Sequence, residues 1–318
     1  MKKIYVTRLL TDAVLGELNG TDQYDFVIGN EEPPSRSEFL SNARGADAII
    51  ACLTERIDEE LFAAAGDNLR IVANVAVGYD NIDLVAAERH GVIVTNTPGV
   101  LDGATADHTM AMILAVTRRI VEADQFLRAG NSWVWGPRMM VGLDVSGGAT
   151  LAIIGMGRIG QAVARRARAF DMNIIGVDAS RPVGAVVGGV PIVELNDALM
   201  NADVVSLHVP LLPTTRHLVN QEFLEKMKRG SYLINDARGG VVDEKAMMEA
   251  LDSGQLRGAA LDTFEGEPKV NSKLFEYSQV VLTPHTASAG EATRDQMCRL
   301  ALGNVLEVLT GNPPLSPV

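Results

Sequence analysis

Three residue types with complementary chemistry follow apolar stretches in the second half of the chain: Arg238 in NDARGGVVDE, Glu267 in LDTFEGEP and His285 in TPHTASAG. Arginine holds a carboxylate through two parallel hydrogen bonds, which lysine cannot match. Histidine changes charge near neutral pH, and a neighbouring carboxylate fixes its tautomer and favours the charged form. Reduction of a 2-keto acid by a nicotinamide needs a cation for the substrate carboxylate, a proton donor for the carbonyl oxygen, and a hydride. The three side chains match the first two needs. Each also has a plainer reading: Arg238 as an ion-pair partner, Glu267 as a loop acid before Pro268, His285 as a cap. His208 follows a strand-like run as well, so spacing alone leaves His208 and His285 both open as the acid. His90 and His217 read as surface positions, and His108 as a structural residue of a helix.

The hydride must come from a bound dinucleotide, and residues 150–178 carry the pattern of a dinucleotide cradle. Leu151 to Ile154 read as a buried strand, and Gly155, Met156, Gly157, Arg158, Ile159 and Gly160 spell GxGxxG straight after it. Apolar residues at helical spacing follow, so a helix starts at the glycines and turns unpaired N–H groups and the positive end of its dipole toward a pyrophosphate. Gly155 permits the tight turn, Gly157 the approach of a ligand to the backbone, and Gly160 close packing of helix on strand. A second strand, Asn173 to Val177, ends in Asp178, which can accept hydrogen bonds from the adenosine ribose and so favours NAD. Ser180 and Arg181 leave NADPH possible, because both can bind a 2′-phosphate.

The elements that must position these residues are legible in outline. Short apolar runs alternate with helical patterns, which predicts parallel sheets covered by helices. Expected strands are Ile4 to Thr7, Tyr24 to Ile28, Ala48 to Leu53, Ile71 to Val75 and Val92 to Thr95, then, beyond the glycine loop, Val204 to Leu207, Tyr232 to Asn235, Ala259 to Leu261 and Val280 to Leu282. Ser35 with Glu38 forms a capping box, and Asp58 and Asn81 are expected caps. Long helices are expected over Ala104 to Arg119 and from about Ala292 to Leu309, with NPPLSPV after them unstructured. In such sheets ligands bind at the carboxyl ends of the strands, where His208, Pro210, Asp236, Arg238, Asp262 and His285 all fall. Val77 and Gly78 can present backbone amides to an anion.

With 318 residues, 47% apolar and 21% charged, the chain suits two globular domains. A net charge of -12 without a basic block argues against nucleic acid and anionic membranes as partners. Two cysteines, Cys52 and Cys298, are too few for a disulfide framework, and no Cys/His spacing suggests a metal site. No apolar stretch reaches membrane-spanning length, and Arg8 and Asp12 interrupt any signal-peptide core, so a cytoplasmic location is expected. The apolar, aperiodic residues 131–148, with both tryptophans, are unsuited to lie free in water.

At its motifs the sequence resembles the D-isomer-specific 2-hydroxyacid dehydrogenases, the glyoxylate/hydroxypyruvate reductase branch above all. The similarity spans VGYDNID, GATADHTMAMILA, GMGRIG, LHVPLLPTT, ARGGVVDE, LDTFEGEP and PHTASAG, nearly the whole chain. It implies an α/β fold of two doubly wound parallel-sheet domains. A Rossmann coenzyme domain, residues 102–285, would be inserted in a flavodoxin-like substrate domain, residues 1–101 and 286–318. An arm at about 120–147 would wrap a twofold-related subunit of a homodimer. The resemblance makes Arg238, Glu267 and His285 catalytic, and gives the substrate Val77, Gly78, Arg238 and, from a partner, Trp135. Besides the three glycines, it implies cofactor contacts at Thr105, Arg158, Ile159, Asp178, His208, Val209, Pro210, Thr215, Asp236, Ala237, Arg238, Asp262, His285 and Ala287. Asp236 departs from the family, which usually has a small or neutral side chain there. Val77 and Glu267 disfavour phosphite-oxidising and formate-oxidising relatives. The expectation is reduction of glyoxylate or hydroxypyruvate to D-2-hydroxy acids with NADH preferred. Alternatives are a 2-ketogluconate-type reductase, or a nucleotide-sensing protein of the C-terminal binding protein type, against which the short tail after Leu309 weighs.

Overall fold

The computed structural model describes residues 1–18 and 23–318. In chain order the first elements are β1 (Lys2–Val6), α1 (Asp12–Leu18), β2 (Tyr24–Ile28), α2 (Arg36–Ala43), β3 (Ala48–Ala51), α3 (Glu59–Ala65), β4 (Ile71–Asn74), α4 (Leu84–Arg89) and β5 (Ile93–Thr95). There follow α5 (Asp102–Thr117), α6 (Ile120–Arg128), β6 (Thr150–Ile154), α7 (Arg158–Arg168), β7 (Asn173–Val177), β8 (Val186–Val187), β9 (Val190–Pro191), α8 (Leu195–Asn201) and β10 (Val204–Leu207). The last are α9 (Gln221–Lys226), β11 (Ser231–Asn235), α10 (Glu244–Asp252), β12 (Leu256–Leu261), β13 (Val280–Leu282) and α11 (Glu291–Thr310). They form two compact units, Met1–Leu101 with Ala289–Val318, and Asp102–Ser288. The second crossing lies beyond residue 285 because the amides of Thr286 and Ala287 are bonded to Asp262 of the second unit.

The first unit holds a five-stranded parallel sheet in the order β2-β1-β3-β4-β5. This is the flavodoxin-type order, reversing direction between β1 and β3. Every residue of β3 and β4 is buried, which is why they read as continuous apolar runs and not as alternating ones. On one face Tyr5, Ile49 and Val72 pack against Phe39, Leu61 and Phe62. Full burial of such a side chain contributes about 1.5–3 kcal/mol. The capping box at Ser35 and the Asp58 cap are present. Asn81 is not a cap: its amide donates to the carbonyls of Cys52 and Glu55, and Asp83 caps α4 by accepting from the Ala86 amide. Nor is the chain end unstructured. Val318 N donates to Val94 O, and Ser316 Oγ to Asn96 O, so the tail satisfies groups along the β5 edge.

The second unit holds six parallel strands ordered β13-β12-β11-β10-β6-β7. From β6 the chain moves out to β7 and then returns to β10 on the other side of β6, so the order reverses at that pair. Successive side chains of a strand point to opposite faces, and both faces of this sheet are covered. Leu151 and Ile153 enter the core under α5 and α7, while Ala152 and Ile154 enter the core under α8, α9 and α10.

Helix α5 starts two residues earlier than the pattern suggests and ends at Thr117, whose carbonyl accepts from the Leu143 amide. The two-residue strands β8 and β9 form an antiparallel hairpin around Gly188 and Gly189, both at positive φ as a tight two-residue turn requires.

Candidate active site

The reversal of strand order at β6 and β10 opens a crevice at their carboxyl ends, and the glycine loop sits in it. Gly155 has φ +100°, and a Cβ there would lie 2.5 Å from the His208 carbonyl. A Cβ on Gly160 would lie 2.1 Å from the Gly155 carbonyl, so helix and strand meet only because it is absent. Gly157 differs: nothing lies within 4 Å of its Cβ position and its φ is an ordinary −72°. Its bare backbone serves no contact inside the chain. It leaves a cradle at the N-terminus of α7 that a side chain would fill, which fits a dinucleotide phosphate. Arg158 is exposed beside it, Ile159 half-buried.

Asp178 ends β7 and ties the loop down. Its Oδ2 accepts from the Met156 amide at 2.9 Å, and its Oδ1 from Ser180 N at 2.9 Å and Ser180 Oγ at 2.6 Å. Burial alone would raise the pKa of this carboxyl, but these bonds and the Arg181 charge hold it below the usual carboxylate value. A carboxylate has about four acceptor sites, so capacity remains for ribose hydroxyls. Across the crevice, Thr215 Oγ1 donates to Pro210 O at 2.6 Å and accepts from Leu212 N at 2.8 Å, closing the loop that also carries Val209. Thr105 is buried on α5.

Arg238 follows β11 in extended conformation, its carbonyl accepting from Asn235 Nδ2 at 3.0 Å and its Nη1 donating to Ala237 O at 2.8 Å. Gly239 then presses its backbone on the next loop: a Cβ there would lie 1.9 Å from the Phe264 carbonyl carbon. That contact places the Arg238 turn against the segment that carries Glu267. Glu267 Oε1 accepts from Phe264 N at 2.8 Å, and Oε2 lies 2.8 Å from His285 Nδ1. The side chains of His285 and Glu267 are 22% and 24% exposed, sheltered yet reachable by a small molecule. His285 has φ +53°, a left-handed conformation that non-glycine residues adopt only when held there. Its amide donates to the Asp262 carbonyl at 2.8 Å.

His208 stands apart from this pair. Its Nε2 lies 2.8 Å from Ser206 Oγ, and burial pushes its pKa down to about 4, so it is neutral at pH 7. A neutral imidazole is a poor proton donor. Val77 and Gly78 follow β4 in the other unit, where Asn96 Nδ2 donates to Val77 O and Asn74 Nδ2 to Gly78 O. With those carbonyls pinned, the two amides have no acceptor among the described residues. Trp135 is 77% exposed in a segment without regular structure, so it is not part of this chain's core.

Three contributors escape sequence reading. Glu244 Oε1 accepts from Glu265 N at 2.9 Å and braces the Glu267 loop from α10. Thr283 Oγ1 donates to Asp262 Oδ1 at 2.7 Å. His108, read as merely structural, lies 3.1 Å from Asp236 through Nδ1. No spacing rule joins residues so far apart in the chain. Among the described residues no three His, Cys, Asp or Glu side chains group as a metal site, and no helix is long and apolar enough to cross a membrane.

Comparison with known proteins agrees with this geometry. The profile described as "D-isomer specific 2-hydroxyacid dehydrogenase, NAD binding domain" matches residues 110–287. A glyoxylate reductase of Thermofilum pendens is 44% identical over 319 residues, covering 98% of this chain and 93% of that one. Among solved structures, a protein from Thermus thermophilus superposes with a TM-score of 0.92 at 42% identity, covering 99% of both chains. The NADPH-dependent glyoxylate/hydroxypyruvate reductase of Sinorhizobium meliloti, in complex with NADP and malonate, gives a TM-score of 0.85 at 32% identity over 100% of this chain and 96% of that one. With a dinucleotide cradle, an arginine and a glutamate–histidine pair on one sheet, and with relatives matched from end to end, the chain belongs to the D-isomer-specific 2-hydroxyacid dehydrogenases.

Proposed function

We propose that this chain reduces small 2-keto acids, glyoxylate and hydroxypyruvate foremost, to D-2-hydroxy acids, with NADH as the preferred cofactor. The observation that carries the reading is the 2.8 Å pairing of His285 Nδ1 with Glu267 Oε2 on the loop next to Arg238. The names of the Thermofilum pendens and Sinorhizobium meliloti relatives support the choice of substrate.

Arg238 binds the carboxylate of the keto acid as a fork. His285 donates a proton from Nε2 to the carbonyl oxygen, since Nδ1 is committed to Glu267. Glu267 holds the ring in that orientation and offsets its positive charge. A nicotinamide dinucleotide held at the glycine loop and Asp178 would supply the hydride for the carbonyl carbon. Proton and hydride together convert C=O to CH–OH, and His285 regains its proton from solvent. Asp178 accepts from the adenosine ribose and repels a 2′-phosphate, which favours NADH.

The working unit in this reading is a cytoplasmic homodimer. Helix α6 buries none of its residues, and beyond it Trp133, Val134 and Trp135 are 56%, 89% and 77% exposed, an apolar surface suited to a twofold partner. Light scattering at micromolar concentration tests it, and a monomer alone would rule the dimer out. The activity is tested by kcat/KM over a panel of 2-keto acids with NADH and NADPH. Glyoxylate or hydroxypyruvate should lead the panel, and negligible turnover of every member would refute the assignment.

A further inference from the structure

His108, on α5, sits between two carboxylates that have no exposed side-chain surface. Its Nδ1 lies 3.1 Å from Asp236 Oδ2 at the end of β11, and its Nε2 lies 3.8 Å from Asp262 Oδ1 at the end of β12. Thr109 Oγ1 adds a bond to Asp236 Oδ2 at 2.8 Å, while Asp236 Oδ1 is buried with no partner among the described residues. A neutral imidazole has one N–H and one lone pair, so it would turn a lone pair toward one of the two carboxylates. Only the charged ring faces both with N–H groups.

The charged groups that act on His108 are Asp236 and Asp262, and those that act on Asp236 are His108 and Asp262. Burial by itself lowers the pKa of His108, but its bond to Asp236 and the charges of Asp236 and Asp262 outweigh this and raise it. Burial raises Asp236. Both shifts favour a proton within the cluster.

Asp262 is also the anchor of the segment that carries His285. Its Oδ1 accepts from Thr283 Oγ1 at 2.7 Å and from the Thr286 amide at 2.7 Å, and its Oδ2 accepts from the Ala287 amide at 2.8 Å. Its carbonyl accepts from His285 N at 2.8 Å. These donors all need acceptor capacity, which a carboxylate supplies on both oxygens. Without a cation between them, two buried carboxylates cannot both stay charged cheaply.

We propose that His108, as the cation shared by Asp236 and Asp262, is a positioning residue that holds Asp262 in place and thereby fixes the backbone on either side of His285. It touches neither substrate nor reacting atoms and acts through Asp262. The consequence for turnover rests on His285 being the proton donor; the consequence for the backbone does not.

The test uses the full chain, with and without NADH, as the unmodified protein and as His108→Gln, Asp236→Asn and the double variant. Nitrogen NMR should find His108 protonated at both nitrogens at pH 7, and Asp236→Asn should lower the pH at which it loses its proton. In His108→Gln, the amides of Thr286 and Ala287 should exchange with solvent roughly tenfold faster or more. The double variant, which removes a charge from each side, should restore most of that protection and part of kcat with glyoxylate. A neutral His108 at pH 7 overturns the proposal. So does unchanged exchange in His108→Gln, or a double variant no better protected than His108→Gln, which would mean lost packing and not lost charge. If the unmodified chain turns over no 2-keto acid, only the proposed function falls, because charge state and exchange are read without substrate.

Discussion

Glu267 divides its two oxygens: Oε1 closes on its own loop at Phe264 N, and Oε2 reaches His285 Nδ1 at 2.8 Å. One carboxylate therefore shapes the loop and orients the imidazole together. Glu267→Gln keeps a carbonyl that can accept one of these bonds, whereas Glu267→Leu keeps neither. The glutamine variant should retain kcat within about tenfold, and the leucine variant should lose roughly 10²-fold, the lower end of what a positioned proton donor contributes. Steady-state rates with glyoxylate check this, and equal losses would show that acceptance at Nδ1 is irrelevant.

The glycine loop separates folding from binding. Gly157→Ala meets no neighbour within 4 Å, so thermal stability should be unchanged while KM for NADH rises several-fold. Gly160→Ala forces a Cβ to 2.1 Å from the Gly155 carbonyl and should destabilise the protein by about 1–3 kcal/mol. Melting curves and NADH titrations of the two variants should diverge in this way; a destabilised Gly157→Ala with unaltered NADH binding would contradict the cradle.

Asp178 should set cofactor preference. Replacing it by alanine removes the charge that faces a 2′-phosphate and also the acceptor for Met156 N. The ratio of kcat/KM for NADH to that for NADPH should fall by roughly tenfold, the worth of one exposed charge interaction of about 1.4 kcal/mol. Equal or higher efficiency with NADPH in the unmodified protein would refute the preference.

His208 gives the acid side of the stability curve a defined shape. Its pKa falls from 6.5 to about 4 on burial, so the unfolded chain binds this proton more readily than the folded one. Stability from this group is intact above pH 6.5, declines as pH falls toward 4, and changes no further below that. At pH 5 the loss is about 2 kcal/mol. Urea unfolding at pH 7.5 and pH 5 should show a smaller difference for His208→Asn than for the unmodified protein, and identical differences would remove His208 from the acid limb.

The legible parts of this protein are those governed by local pattern. Buried parallel strands such as Ala48–Ala51 and Val204–Leu207 stand out as apolar runs, and the residues just past such carboxyl ends are where ligands bind. Strand ends also show why Arg238, Glu267 and His285 attract attention before any contact is known. What spacing leaves open is decided by surroundings: His208 is set apart from His285 by its burial, and Glu267 meets His285 across a loop. The Asp236–His108 contact joins residues 128 apart in sequence, beyond any periodicity. Asn81 and Asp83 compete for one cap, and only the position of Cys52 O and Glu55 O decides between them.

The proton donor is the centre of the mechanism, and two single substitutions test it most directly. His285→Ala should lower kcat for glyoxylate with NADH by roughly 10²- to 10⁴-fold, with little change in NADH affinity, while His208→Ala should lose less than about tenfold. If His208→Ala abolishes turnover and His285→Ala retains most of it, the donor is the other histidine, and the pairing with Glu267 is structural.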